Sequence, residues 1–243
     1  MMRVLVAVTL RGLLNRRRSL LMLLLAASPV LIALLIRVMG RPADPERLAA
    51  EVLDGLVVRT VLPLVALVFG TAALGSELED GTAVYLLVKP IHRWRIVAAK
   101  LLAAGGLTIV LVVPAALLAG FLIVGDQGGG MQLVVAYGIA TTIGALLYAT
   151  MFVALSVVTG RALVVGLVYT LIWEGVLAGL FAGTRVLSVR EYVVAIAAAI
   201  DPEASIRAGL DLATAAVMTV LVLVGAFAIA SQRLSAYEVR STE

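Results

Sequence analysis

Residues 77–100 form a polar stretch between two apolar segments and carry both acidic and basic side chains. Carboxylates stand at its start, where a helix dipole favours negative charge, and a proline at position 90 would end that helix. A short amphipathic helix of this kind can press into a groove on another protein. The basic residues that follow suit phosphate head groups or a partner's acids; a solvated connector that only orients the chain is the alternative. The acidic residues are Glu77, Glu79 and Asp80, and the basic residues are Arg93, Arg95 and Lys100.

A single carboxylate, Glu174, lies inside a long apolar segment. An ionised and unpaired carboxylate at membrane depth costs roughly several kcal/mol. Glu174 is therefore a candidate for a pathway-lining or proton-linked residue that faces the interior of a bundle. The alternative is a protonated, hydrogen-bonded structural carboxyl group, or a shallower position. Candidate partners on neighbouring segments are Tyr148, Thr141, Thr142, Ser156 and Thr170.

Residues for enzymatic chemistry are sparse. The chain has no cysteine, which excludes disulfides, thiolate metal sites and a cysteine nucleophile. The one histidine, His92, lies in a basic stretch without a second ligand, so no metal site is predicted. The sequence contains no G-x-x-x-x-G-K-[ST] phosphate loop. No catalytic residue is predicted, and an integral-membrane enzyme is an alternative that would depend on Glu174 alone.

The elements that must position these residues are six long apolar segments. The chain is 63% hydrophobic and only 14% charged, against about a quarter charged in soluble domains. A helix needs roughly 20 apolar residues to cross about 30 Å of hydrocarbon, and backbone groups in lipid must be paired within the helix. The sequence predicts an all-α membrane protein with one domain over 1–243. Its spans are predicted at about 19–38, 56–76, 101–125, 131–159, 162–184 and 212–232.

The N-terminal 18 residues show apolar positions on one helical face and basic positions on another. This pattern predicts an amphipathic helix in the membrane interface, although a plain cytoplasmic extension of the first span is the alternative. Counting Lys and Arg near the span ends gives twelve on the N-terminal side and seven on the other. The positive-inside rule then predicts that both termini are cytoplasmic. The basic interfacial residues are Arg11, Arg16, Arg17 and Arg18.

A short apolar segment lies in the predicted outer loop, residues 185–207. Its nine apolar residues, 192–200, are too few to cross a membrane. Asp201 and Pro202 then interrupt the pattern. This segment predicts a re-entrant or interfacial helix on the outer side, with a surface loop as the alternative.

The polar stretch 77–100 resembles the cytoplasmic loop of exporter-type (type-2) ABC transporter permeases. In that family a Glu-rich start leads to Gly-Thr, Leu-Leu, a proline, a basic residue and a lysine at the next span. The layout agrees as well, with a basic N-terminal helix, six spans and inside termini. The matching residues are Glu77, Glu79, Gly81, Thr82, Leu86, Leu87, Pro90, Arg93 and Lys100.

The resemblance implies a permease subunit whose loop forms a coupling helix against a separate cytoplasmic ABC ATPase. That partner would bind ATP and Mg, and this chain would hold no cofactor. Two permease chains, identical or paralogous, would line one pathway in a bacterial or archaeal cell membrane. The apolar walls predict a lipid-like, amphipathic or apolar cargo, and no nucleic-acid partner is predicted. A non-transporting membrane scaffold or sensor subunit is the alternative function.

Overall fold

The computed structural model describes residues 2–14, 16–40, 42–79, 92–125, 130–178, 182–204 and 206–236. Within these ranges the fold is helical, with turns and no strand, which confirms the predicted fold class at that level. The elements in chain order are α1 (Met2–Leu13), α2 (Arg16–Met39), α3 (Pro45–Val52), the π-helical segment π1 (Leu53–Val61), α4 (Leu62–Glu79), α5 (Arg93–Val124), α6 (Met131–Val158), α7 (Ala162–Val168), the π-helical segment π2 (Tyr169–Leu177), a 3-10 helix (Ala182–Leu187), α8 (Val189–Ile200) and α9 (Leu212–Ser235).

Five helical stretches in the described ranges are long and apolar enough to cross a membrane: Arg17–Met39, Pro45–Gly75, Arg93–Val124, Met131–Val158 and Leu212–Ser235. The predicted fifth span, 162–184, differs from these. Its helix is the shorter Ala162–Leu177, and residues 182–187 form a separate 3-10 helix. The described part of this helix is about 24 Å long, which is less than the hydrocarbon thickness, so it is not among these five stretches.

Helix α6 lies at the centre of the bundle and packs against α4, α5, α8 and α9. Its aromatic residues Tyr137, Tyr148 and Phe152 are almost completely buried. Small residues bring the neighbouring helices close to it, as expected for packing in lipid. A Cβ atom at Gly70 of α4, for example, would lie 2.8 Å from the Cβ of Phe152. The core of the molecule is therefore the contact surface around α6.

Helices α2 and α9 lie at the edge of the bundle. Only 17% of the α2 span and 6% of the α9 span are buried. Their outward faces carry large apolar side chains such as Leu34 and Val224. Apolar surface of this extent on a single chain is a contact surface for lipid or another subunit.

The second crossing is one continuous helix over residues 45–79, made of α3, π1 and α4. It begins eleven residues before the predicted span at 56, because Asp44 caps it by accepting a hydrogen bond from Arg47 N (3.1 Å) and Pro45 occupies its first position. At 1.5 Å per residue it is about 50 Å long, so both ends extend beyond a 30 Å hydrocarbon layer.

The first π-helical segment, π1, precedes Pro63. A proline within a helix lacks a donor and crowds the carbonyl group four residues earlier. The backbone accommodates the ring by bonding five residues back, as Leu62 N does to Val57 O. The helix therefore continues through Pro63 with a locally wider turn.

The bundle has two ends, an N-terminal face and a distal face. The N-terminal face carries α1, the end of α4 and the start of α5. The distal face carries the start of α3, the start of α6 and the connection from α8 to α9. At the distal face, Gln132 Nε2 donates to Ile200 O (3.0 Å) and Arg37 Nη1 donates to Leu122 O (3.4 Å).

Candidate functional site

The name fifth crossing is used for two half-helices that together run from one end of the bundle to the other. The first, α7 with π2, runs from the N-terminal face to the interior of the bundle, and the second, α8, continues to the distal face. The position of α8 follows from its contacts along α6. A Cβ atom at Gly144, near the middle of α6, would lie 2.6 Å from Val193 Cγ2, whereas Ile200 meets Gln132 at the distal end. Helix α8 therefore starts inside the bundle, where its free N–H groups need partners.

Glu174 supplies those partners. Its side chain is only 3% exposed. Oε1 accepts hydrogen bonds from Val189 N (2.9 Å) and from the Tyr169 hydroxyl (2.9 Å), and Oε2 accepts one from the Ser188 hydroxyl (2.5 Å). The carboxylate thus lies at the N-terminus of α8, where the helix dipole also favours negative charge. This cap explains how a carboxylate is accommodated inside an apolar bundle.

The local sequence forms this junction. Ser188 is the N-cap of α8, and its hydroxyl oxygen accepts a hydrogen bond from Glu191 N (3.3 Å). The order Ser188-Val-Arg-Glu191 is the S-x-x-E pattern typical of a helix start. On the other side of the break, Trp173 Nε1 donates to Leu187 O (3.3 Å). The turn between the half-helices is therefore held by side chains from both of them.

A second polar cluster joins α8 to π1. Arg190 binds Asp54 through two hydrogen bonds, Nε to Oδ1 (3.1 Å) and Nη2 to Oδ2 (2.5 Å). Its Nη1 also donates to Glu191 Oε1 (2.8 Å), while Glu191 Oε2 accepts from Gly209 N (3.2 Å). Arg190 therefore ties the second crossing to α8.

The two π-helical segments also meet directly. Arg59 of π1 donates through Nη2 to the carbonyl oxygen of Gly175 in π2. Carbonyl groups in a π-helix are less tightly committed to the regular i→i+4 ladder, and π segments recur at functional sites. Together with the Glu174 and Arg190 contacts, this bond forms the polar junction, defined by Asp54, Arg59, Glu174, Ser188 and Arg190.

The predicted partners of Glu174 were mostly not its partners in the structure. The hydroxyl groups of Thr142, Ser156 and Thr170 bond to carbonyl groups of their own helices. The hydroxyl group of Thr141 is buried and has no hydrogen-bond partner among the described residues. Tyr148 lies beside the carboxylate without a hydrogen bond of ordinary geometry to any described residue. The structure thus favours the hydrogen-bonded structural interpretation of Glu174, and its place on a pathway stays a prediction.

Sequence reasoning missed Tyr169, Ser188, Arg190 and Asp54. The S-x-x-E pattern at 188–191 was a signal for the start of α8. No comparable pattern connects Asp54 with Arg190, because 136 residues separate them. Their pairing is a property of the tertiary fold.

The predicted coupling residues fall only partly within the described chain. Glu77 and Glu79 belong to the last turns of α4, and Arg93 begins α5. Lys100 lies in α5 and is 3% exposed, and both Arg93 and Lys100 have interaction partners. The remaining predicted residues, Asp80, Gly81, Thr82, Leu86, Leu87 and Pro90, lie outside the described residues.

The predicted interfacial basic residues are divided between two helices. Arg11 lies in the last turn of α1, whereas Arg16, Arg17 and Arg18 belong to the start of α2. The helix predicted over 1–18 ends at Leu13 in the structure. Its placement in a membrane interface stays a prediction.

The chemistry available at the polar junction is binding and mechanical linkage. Its carboxylates accept hydrogen bonds from fixed donors, and its guanidinium groups are paired with carboxylates or a carbonyl group. Across the described residues there is no group of three His, Asp or Glu side chains that could hold a metal ion. The junction connects three segments of the bundle and is suited to hold or release them together.

Comparison with known proteins identifies the chain at the level of a family. No curated protein matches it. The family model described as "ABC-2 family transporter protein" matches residues 33–239, which include α4, α5, the polar junction and all of α9. This match covers most of the 243 residues. The chain belongs to the ABC-2 transporter family and is a membrane transport component.

Proposed function

We propose that this chain is the membrane-spanning subunit of an ATP-driven exporter and that a separate cytoplasmic ABC ATPase supplies the energy. The family match over residues 33–239 carries this proposal. The resemblance of residues 77–100 to a coupling loop supports it, as does the absence of a phosphate loop from the sequence. ATP and Mg would be bound by the partner subunit.

The second crossing is suited to transmit the partner's movement. It is one helix over residues 45–79, with Glu77 and Glu79 at one end and Asp54 nearer the other. A force applied at its N-terminal-face end would tilt it as a rigid body. Because Asp54 and Arg59 bind α8 and π2, such a tilt would move both half-helices of the fifth crossing.

This geometry gives Glu174 a role in the proposed pathway. With three hydrogen bonds already accepted, the carboxylate holds the break in the fifth crossing rather than binding cargo directly. Discontinuous helices inside a membrane are frequent at transport sites. The apolar surroundings favour a lipid-like, amphipathic or apolar cargo.

The proposed assembly has both termini in the cytoplasm of a bacterial or archaeal cell and contains a second permease chain. The N-terminal face then carries α1 at the inner membrane surface, where Arg11 can meet lipid phosphates. Exposed apolar faces of α2, α7 and α9 are available to lipid and to the second chain.

The test is reconstitution of the chain with the ABC ATPase that co-purifies with the parent protein. A double variant, Glu77→Lys with Glu79→Lys, should abolish co-purification of the ATPase and return hydrolysis to the rate of the isolated ATPase. The matched control is Glu203→Lys, a charge reversal of an exposed glutamate at the distal face, which should leave both unchanged. If the double variant still stimulated ATP hydrolysis by the ATPase as fully as the parent chain does, the assignment of the coupling segment would be contradicted.

A further inference from the structure

A cavity of about 270 Å³ opens between α3, α6, α8 and the segment that follows α8. Arg47, Glu51 and Asp54 of the second crossing line one side, and Arg207 lines the other. Tyr137 of α6 also lines it. The cavity is next to the polar junction but separate from the Glu174 site.

Some of the charged side chains that line this cavity form ion pairs, and one does not. Arg47 Nε pairs with Glu51 Oε1 (3.1 Å), and both oxygens of Asp54 are occupied by Arg190. Arg207 forms no ion pair with any residue that the structure describes. The cavity lining therefore presents one uncompensated guanidinium group, with further donors on the terminal nitrogens of Arg47.

Glu191 of α8 is a further carboxylate in this part of the molecule, but it does not contribute to the lining. It is turned away toward Arg190 and Gly209 N, and Arg185 lies beside it around Gly209. The negative charge of Glu191 is thus balanced by Arg190 and by the Gly209 N–H group, outside the cavity. Among the charged residues that line the cavity, Arg207 is therefore the one whose charge is not paired within the described protein.

A hydroxyl group without a protein partner faces the same cavity. Tyr137 is 2% exposed and lines the cavity, and its hydroxyl group has no hydrogen-bond partner in the described ranges. The hydroxyl oxygen is not among the fully buried atoms without a partner, so it is accessible from the cavity. An acceptor atom of a ligand in the cavity could bond to it.

We infer that this cavity binds an oxyanion, a phosphate or carboxylate group, with an attached apolar portion. The oxyanion would accept hydrogen bonds from Arg207 and from the Tyr137 hydroxyl group, since bonds to charged acceptors are the stronger ones. Val194 and Ile206 line the cavity with apolar surface that suits a short hydrocarbon portion. The site is independent of the proposed ATPase coupling, because it requires no nucleotide and no partner.

The test is a binding titration on the detergent-solubilised chain with three probes. These are inorganic phosphate, dihexanoyl phosphatidate and uncharged dihexanoylglycerol. Binding of phosphatidate but not of phosphate would support the site with a lipid-type ligand, and binding of both would support it with either source. Equal binding of dihexanoylglycerol, or no binding of either anion, would overturn the inference.

Two variants locate the site. Arg207→Gln should weaken binding of the anion by about tenfold or more, and Tyr137→Phe by about fivefold, because each removes a donor to a charged acceptor. Tyr137→Phe breaks no hydrogen bond in the described protein, so the fold should be retained. The control Arg37→Gln removes a charge from the same face away from this cavity and should not change the affinity. Unchanged affinity in both Arg207→Gln and Tyr137→Phe would also overturn the site.

Discussion

The second and the fifth crossings both contain a nine-residue π-helical segment, but they are held in different ways. π1 lies within one continuous helix, and Val57, Val58 and Val61 are completely or almost completely buried against neighbouring helices. π2 lies at the edge, exposes Leu171, Ile172 and Val176, and ends at a break in the crossing. Packing supports π1, whereas polar side chains support π2. The comparison indicates that an element held by apolar packing and an element held by polar contacts are joined at the polar junction.

Substitution of Glu174 should have the largest effect, because polar contacts support the fifth crossing. Glu174→Gln replaces an accepting oxygen with an NH₂ donor, which would face the donors that the carboxylate now binds. The substitution should lower the free energy of unfolding by about 3 kcal/mol. Thermal unfolding in detergent measures this. The control Thr170→Val removes a hydroxyl group that bonds only to Gly166 O of its own half-helix and should cost less than about 1 kcal/mol. Equal losses in the two variants would mean that the cap is not what holds π2.

Separating Asp54 from Arg190 should have the next largest effect. Asp54→Asn and Arg190→Gln should each cost about 2 kcal/mol, because the pair is partly buried, with side-chain exposures of 19% and 29%. The double variant should cost clearly less than the sum of the two, as the same contact is lost once. Additive losses in this double-mutant cycle would show that the two crossings are not energetically linked there.

Glycine substitutions test packing on each crossing. Gly70→Ala in the second crossing should cost about 1.5 kcal/mol, because the new Cβ atom would meet the rigid Cβ of Phe152 at 2.8 Å. Gly166→Ala in the fifth should cost less, since the nearest atom is the movable Cδ1 of Leu67. Gly106→Ala has open space and is the control. A larger loss at Gly166 than at Gly70 would reverse the comparison.

The direct bond between the two π segments should have the smallest effect on stability. Arg59 is exposed and donates to one carbonyl group, so Arg59→Gln should cost about 0.5 kcal/mol. The substitution should instead increase hydrogen exchange at the amides of π2 relative to those of π1. Equal exchange in the variant and the parent would mean that Arg59 does not restrain π2.

The sequence predicts the parts of this molecule that depend on local pattern. Long apolar segments identify the helices, since a lipid-facing helix needs only length and composition. The start of the second crossing is harder to predict from hydropathy. Asp44 and Pro45 begin the helix eleven residues before its apolar stretch, and the charged residues Arg47 and Glu51 make this first part resemble a polar loop. A cap and a proline are stronger boundary signals than hydropathy here.

The polar junction was only partly predictable. Glu174 is conspicuous because a carboxylate is rare in an apolar segment, and Ser188 stands in a capping pattern. Their meeting depends on the break in the fifth crossing, which brings the start of α8 beside Glu174 of π2. The Asp54–Arg190 pair depends on long-range packing, so neither residue stands out alone. A local rule identifies candidate residues, but tertiary contacts decide their partners.

The central claim is that ATP binding by the partner moves the second crossing through residues 77–79. The chain has no cysteine, so spin labels at Glu51→Cys and Leu212→Cys, both at exposed distal positions, report the distance between α3 and α9 without background. In the complex with its ATPase, this distance should change by several ångströms when ATP is bound, and the Glu77→Lys, Glu79→Lys variant should abolish the change. The same distance with and without ATP, while hydrolysis proceeds, would contradict the account.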